Sequence, residues 1–285
     1  AHQTLFLATD RFGIKPLYVY ISGETFAFSS EIKALLRAGV APSTIDPRAI
    51  ESFLAYGAVQ APLTMIQDVQ AMLPGTYLIY TPATHQVVQH TYWQPGRRTA
   101  MATPMRDVLL DSVRHHLVSD VPVALFLSGG IDSSALAILA HDVAEGPSLD
   151  SFSVTFAEQQ YAEGKYAKMI GEKFCRHHTE ITLSNADLRA MLPAALSAMD
   201  QPTVDGLNVY VLANAVRDAG IKVVLSGQGG DEVFGGYSTF RHIIAAERLL
   251  GMLPRSLHPP HKKMAALVRF ADQRRGRSSF IDSKL

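Results

Sequence analysis

Val123-Ala-Leu-Phe-Leu-Ser-Gly-Gly-Ile-Asp-Ser-Ser134 is a strand, a turn and the opening of a helix within twelve residues. The apolar run Val123 to Leu127 is short and bounded by a glycine turn, which reads as a parallel strand buried on both faces. Gly129 and Gly130 lack a Cβ, so the backbone there can turn sharply and come close to a ligand. A helical pattern resumes from about Ser133 to Val143 and aims its unpaired N–H groups and positive dipole end at the same spot. That arrangement suits an anion, and Ser128, Ser133 and Ser134 add hydroxyl groups. The stretch reads as a phosphate cradle.

What the loop lacks narrows its chemistry. There is no Gly-x-x-x-x-Gly-Lys-Ser/Thr pattern, and the acid Asp132 stands where a phosphate-gripping lysine would be useful. A carboxylate beside a polyphosphate repels it unless a divalent cation bridges the two, and hard oxygen ligands favour Mg²⁺. A bare Ser-Gly-Gly is usually no more than a turn with a serine cap; the strand, the acid and the paired serines together carry the nucleotide reading.

Around this stretch, strands alternate with helices. A helix over 105–118 precedes it. Strand 151–156, helix 163–174, strand 178–183, helical segments 187–199 and 208–219, and strand 222–225 follow. The alternation predicts an α/β fold with a doubly wound, mostly parallel sheet. Ligands of such sheets sit beyond the carboxyl ends of the strands, where both Ser128 and Ser226 fall. The second of these opens Ser226-Gly-Gln-Gly-Gly-Asp-Glu232, a glycine-rich loop ending in two acids, suited to a Mg²⁺-bound pyrophosphate or an acyl-adenylate. Its plain alternative is a flexible loop whose acids cap the next helix.

The first part of the chain is strand-rich. Strands are expected over 4–8, 17–21, 25–29 and 77–80, with helices over 31–38 and 47–56, the latter capped by Asp46 with Pro47 in its first turn. The turn-rich Gln94-Pro-Gly-Arg-Arg-Thr99 places a domain boundary there, dividing the chain into 1–95 and 96–285. From Arg241 the pattern becomes helical and basic, with Arg274-Arg-Gly-Arg277 near the end, and reads as an exposed face or tail because no aromatic residues interleave the charges.

Bulk properties exclude several classes. The 285 residues are 47% apolar, enough for real cores, and carry 26 basic against 26 acidic residues. The balance argues for no nucleic-acid partner and no membrane surface, and no run approaches the ~20 apolar residues of a spanning helix. A cytoplasmic protein is expected. The lone Cys175 forbids an internal disulfide and reads as a buried structural thiol. His115-His116 and His177-His178 lack the spacing and companions of a zinc site and read as surface or strand-entry residues. Met199-Asp-Gln-Pro-Thr-Val-Asp205 lies between two helical segments; Asp200 and Asp205 either position a substrate or metal, or cap helices.

Ser128 to Ser134 resembles the pyrophosphate loop of the ATP pyrophosphatase superfamily, whose members cleave ATP between its α and β phosphates. Val223-Val-Leu-Ser-Gly-Gln-Gly-Gly-Asp-Glu-Val-Phe-Gly-Gly-Tyr237, Asp10-Arg-Phe-Gly-Ile-Lys-Pro-Leu-Tyr18 and Ser30-Glu-Ile-Lys-Ala-Leu35 extend the match. They occur in the order found in glutamine-dependent asparagine synthetases, a family the chain is similar to as far as about residue 242. The resemblance implies an adenine nucleotide alpha-hydrolase-like synthetase domain over 96–285, C-terminally incomplete, preceded over 1–95 by a β-rich remnant of an N-terminal-nucleophile glutaminase domain. That family's glutaminase uses an N-terminal cysteine, whereas residue 1 here is Ala, so both ends look shortened and no glutaminase activity is expected from this chain alone.

The resemblance further implies ATP-dependent activation of aspartate as β-aspartyl-AMP, with release of pyrophosphate, followed by amidation with ammonia to asparagine and AMP. By it, the backbone of Leu127 and Val154 flanks the adenine, and Ser128, Gly129, Gly130, Asp132 and Ser133 hold the phosphates. Ser226, Gly227, Asp231 and Glu232 close the reaction side, with Asp132 and Asp231 toward Mg²⁺. ATP, aspartate, ammonia or glutamine, and a second copy in a homodimer are the implied partners. Asp10, Arg11, Ser30 and Glu31 match family motifs but are taken as structural, with Glu31 near where glutamine would bind. Gln228 occupies a variable position that is sometimes acidic in the family, and Gln201 replaces the commoner acid of an Asp-Glu-Pro-type segment near the amino-acid substrate. Those departures leave room for an acyl-adenylate amidotransferase acting on another carboxylate. A tRNA-modifying ATP pyrophosphatase would need a basic surface and zinc cysteines that are missing, and a truncated, non-catalytic nucleotide-binding subunit is the reading outside enzymes.

Overall fold

The computed structural model describes residues 3–96, 103–156 and 162–251. The first half comprises β1 (Leu5–Ala8), β2 (Tyr18–Ser22), β3 (Thr25–Ser29), α1 (Ile32–Arg37), α2 (Pro47–Tyr56), β4 (Val69–Ala71), β5 (Thr76–Thr81) and β6 (Gln86–Thr91). Its strands form two antiparallel three-stranded sheets, β1-β5-β6 and β3-β2-β4. Leu7, Leu78 and Tyr80 of the first sheet meet Val19 and Phe26 of the second in one core. The period of two then turns Tyr20 and Val69 to the opposite face, where they pack on Ile32 and Leu35 of α1. α2 begins and ends as its sequence dictates: the Asp46 carboxylate accepts the Arg48 N–H at 2.9 Å, and Gly57 stops the helix in the left-handed region at φ 75°. Sequence pattern alone does not find β4, only three residues long, or β6, whose Gln-Val-Val-Gln-His-Thr lies mostly exposed at a sheet edge.

The second half comprises α3 (Met105–His116), β7 (Val123–Phe126), α4 (Ile131–Ala144), β8 (Asp150–Phe156), α5 (Ala162–Phe174), β9 (His177–Leu183), α6 (Asn185–Ala198), α7 (Gly206–Asp218), β10 (Val223–Leu225), α8 (Gly230–Phe234) and α9 (Ser238–Gly251). All four strands run parallel in the order β10-β7-β8-β9. Alternate residues of β7 and its end face opposite layers, as expected of a doubly covered strand. Leu125 and Leu127 join Val113, Leu139, Ala167 and Cys175 under α3, α4 and α5, while Ala124 and Phe126 join Phe152 and Val216 under α7. Burying Leu125 and Leu127 contributes about 1.5–3 kcal/mol each, and the fully covered strand explains why the stretch is apolar without alternation.

The strand order also fixes where a ligand belongs. From β7 the chain moves through α4 to β8 and through α5 to β9, with both helices on one face; it then returns through α6 and α7 to place β10 on the other side of β7. The connections therefore diverge between β7 and β10, a topological switch point that leaves a crevice beyond the carboxyl ends of these two strands. The segments leaving them are 127–130 and 226–229.

Cys175 is 6% exposed, and burial pushes its thiol above the ordinary value, with the nearby Asp150 charge adding to the rise. Cys175 is a buried structural thiol, as its sequence setting indicates. We predict that an aromatic disulfide reagent modifies Cys175 in the folded chain far more slowly than in urea, as followed by absorbance; equal rates would contradict the packing. No helix among the described residues is long and apolar enough to cross a membrane. The basic region beyond residue 251, with Arg274 to Arg277, and residues 97–99 of the turn-rich stretch lie outside the described residues.

Candidate functional site

The cradle is braced by its own serines. Leu127, 1% exposed, donates its N–H to the Phe152 carbonyl at 2.8 Å and ends the pairing of β7 with β8. Ser128 then emerges exposed, and Gly129 turns the chain at φ 83°. Ser133 Oγ accepts the Ser128 N–H at 3.2 Å, lies 3.1 Å from Ser128 Oγ, and donates to the Gly130 carbonyl at 3.3 Å. Ser128 Oγ in turn accepts the Gly130 N–H at 3.3 Å. The helix starts at Ile131, two residues earlier than its pattern indicates, because Gly130 serves as an extended N-cap and Ile131, 89% exposed, adds nothing to the apolar periodicity. Ser133 consequently lies in the first turn with its hydroxyl buried and engaged within the loop. Gly130 supplies no side-chain cap, so the first turn of α4 keeps main-chain donors of the kind an anion takes.

The second loop packs directly onto the first. Ser226 Oγ accepts the Gln228 N–H at 3.2 Å, and the Gly230 N–H bonds the Gly227 carbonyl at 3.1 Å. A Cβ on Gly227 would lie 2.9 Å from the Ser133 nitrogen, and one on Gly230 would lie 2.4 Å from Cγ of Asp132. Only glycine allows this approach, which lays the Asp132 carboxylate against the start of α8. After α8 the chain folds back through Gly235 at φ 71°, and a Cβ on Gly236 would fall 1.9 Å from Oδ1 of Asp231. The same turn brings the Tyr237 hydroxyl to donate to Glu232 Oε1 at 2.9 Å. That bond pushes the phenol above its ordinary pKa, aided by some desolvation and by the charges of Glu232, Asp231 and Asp132. Asp132, Asp231, Glu232 and Tyr237 thus share one electrostatic neighbourhood. Tyr237 received no role from the sequence, although Gly-Gly-Tyr two residues after a pair of acids is the signal that marks it.

Beyond Phe126 the edge of β8 that β7 had paired is freed, and the backbone of Ser153 and Val154 stands there beside the cradle. Val154 itself is half-buried. The donor set fits magnesium in one particular way. Among the described residues, no group of three His, Cys, Asp or Glu side chains is assembled to hold a metal by itself. Asp132 and Asp231 suit an ion bound jointly with phosphate oxygens, as Mg²⁺ usually is.

Other polar candidates serve the fold. Asp10 accepts the N–H groups of Phe12, Ile14 and Lys15, and these bonds hold its carboxyl below the usual range. His178 lies 2.9 Å from Ser151 Oγ and is pushed down by burial, while His177 contacts Asp150 beside Arg176. His115 and His116 each bond a carbonyl one turn back. Asp200 caps a helix, but a distant one: its oxygens accept the N–H groups of Ile32 and Lys33 at 2.7 and 2.9 Å. Gln201 Oε1 accepts the Met65 N–H, and Asp205 takes the Asn208 amide, each at 2.9 Å. A cavity of about 310 Å³ among Asp150, Phe152, His177, Thr179, Ile181 and Ala219 lies toward the beginnings of β8 and β9. None of these lining residues belongs to either loop, and the switch point outweighs the cavity's size as a guide to the site.

The asparagine synthase family model matches residues 104–282, and the glutamine amidotransferase domain model matches residues 1–93. Asparagine synthetase [glutamine-hydrolyzing] 1 of Bacillus subtilis is 33% identical over 249 residues, covering 84% of this chain and 38% of that protein. The same organism's asparagine synthetase [glutamine-hydrolyzing] 3 is 30% identical over 257 residues, covering 83% and 42%. Amidase chry2 of Gibberella zeae is 31% identical over 266 residues, covering 84% and 39%. The chain spans less than half the length of each of these relatives. With the asparagine synthase match extending over most of its length, the chain belongs to the asparagine synthase family.

Proposed function

We propose that residues 96–285 bind ATP with Mg²⁺ and use it to activate a carboxylate, that of aspartate, for amidation to asparagine, and that residues 1–95 are glutaminase-like. One observation carries the reading: two strand-end loops meet at the switch point through Gly227 and Gly230, with Asp132 between them. The adenine would lie against the backbone of Leu127 at the end of β7 and the freed edge of β8 at Val154. The pyrophosphate would lie over the main chain of Ser128, Gly129 and Gly130 and the first turn of α4, which Ser133 holds in shape. Gly227 and Ser226 would line the side where the carboxylate attacks the α-phosphorus, giving an acyl-adenylate and freeing pyrophosphate.

This step needs negative charge neutralised on the leaving group more than it needs an acid or base. Mg²⁺ held by Asp132 and Asp231 would supply a Lewis acid there. Glu232, held by the Tyr237 hydroxyl, would orient the incoming ammonia. Ammonia, added directly or derived from glutamine, then displaces AMP.

Pyrophosphate release tests the reading, with ammonium as nitrogen donor. The expected result is release that requires ATP, Mg²⁺ and aspartate together, with asparagine formed in equal amount. Amidase chry2 is nearly as similar as the synthetases, which favours a second reading in which another carboxylate is amidated. A panel of carboxylates in the same assay separates the two, and ATP binding without turnover on any of them would contradict both.

A further inference from the structure

Residues 197–204 touch the first half of the chain at points far apart in its sequence. Both Asp200 oxygens accept main-chain N–H groups at the start of α1, across 168 and 167 residues. The Lys33 ammonium donates to the Ser197 carbonyl. Gln201 takes the Met65 N–H, the Val204 N–H donates to the Gly57 carbonyl at 2.9 Å, and Ala58 forms an antiparallel bridge with Thr203. A Cβ on Gly57 would lie 2.9 Å from a Val204 methyl, so this closeness needs glycine at 57. α1 has no cap of its own, because the side chain of Glu31 bonds none of its N–H groups.

We infer that residues 197–204 form a strap that clamps the glutaminase-like and synthetase-like halves into one mechanical unit, with Asp200 supplying the missing N-terminal cap of α1. Those labels for the halves rest on the proposed function; the clamp does not. A carboxylate on two helix-opening amides is a charge-assisted contact favoured by the helix dipole, and losing it strands donors that have no local substitute. α1 is therefore capped only while the halves are in register. The strap also runs directly into α7, whose Val216 packs on Phe152 of β8, so displacement at α1 is carried into the parallel sheet.

Hydrogen exchange on the full chain tests this. Asp200→Asn keeps the shape and loses the charge, and Gln201→Ala removes only the contact with Met65. If the strap acts as a unit, each substitution speeds exchange at the other's contacts as well as its own. Asp200→Asn would loosen Met65 and Val204, and Gln201→Ala would loosen Ile32 and Lys33, by about 10-fold or more. Leu125 in β7 should stay protected in both, showing that the chain is folded. Loss confined to each residue's own partner would overturn the clamp. The experiment contains no nucleotide, so its outcome is independent of whether the chain uses ATP.

Discussion

Asp132→Ala is expected to lower ATP-dependent pyrophosphate release by about 100-fold or more, the range seen when one preorganised electrostatic group is removed from an active site. Asp132 sits in the first turn of α4 with its carboxylate against Gly230, so it is the side chain that both loops share. It is only partly buried and caps nothing, so its loss should leave thermal stability almost unchanged. Activity and stability are therefore expected to separate. Asp132→Asn preserves the volume and should fall nearly as far, because the charge toward the cation is what matters. Nucleotide affinity measured with and without Mg²⁺ sharpens the test: both variants should lose most of the magnesium-dependent part. Unaltered pyrophosphate release would remove Asp132 from the site.

Gly227→Ala and Gly230→Ala should both cripple the reaction, for different reasons. The added methyl at 227 meets main chain, the Ser133 nitrogen at 2.9 Å, with Cβ of Asp132 at 3.1 Å. Neither atom can swing aside. The loops must part, at a cost of about 1–3 kcal/mol typical of overpacking, visible as a lowered Tm, and with activity down by about 100-fold. The methyl at 230 instead meets the end of a side chain, the Asp132 carboxylate at 2.4–2.9 Å. That carboxylate can rotate away. Gly230→Ala should accordingly cost little stability yet reduce turnover toward the level of Asp132→Ala, and the two changes combined should be no worse than Asp132→Ala alone. Additive losses would show that Gly230 and Asp132 act separately.

The sequence made the parallel sheet legible because β7 is covered on both faces and therefore unbroken in its apolar run, and because glycine marks the turns that follow β7 and β10. It also made the cap of α2 legible, since Asp46 and Pro47 act within one turn. What it left out depends on distance in the chain. The fold directs Asp200 and Gln201 to backbone groups 136 to 168 residues away, and no local pattern records such a partner. The inward turn of Ser133 hides for another reason: two serines in succession look alike until the helix start is fixed, and an exposed Ile131 conceals that start. Tyr237 reaches Glu232 only because two glycines fold the chain back after a helix of five residues, shorter than periodicity can register.

In the proposed function, the turn after Leu127 grips nucleotide phosphates. A crystal structure with a non-hydrolysable ATP analogue and Mg²⁺ measures this most directly. The phosphates should lie on the main chain of Ser128, Gly129 and Gly130, with the cation between them and Asp132 and Gly227 alongside. A well-ordered structure with that turn empty, or with nucleotide bound beside Asp150 and His177 at the other end of the sheet, would contradict it.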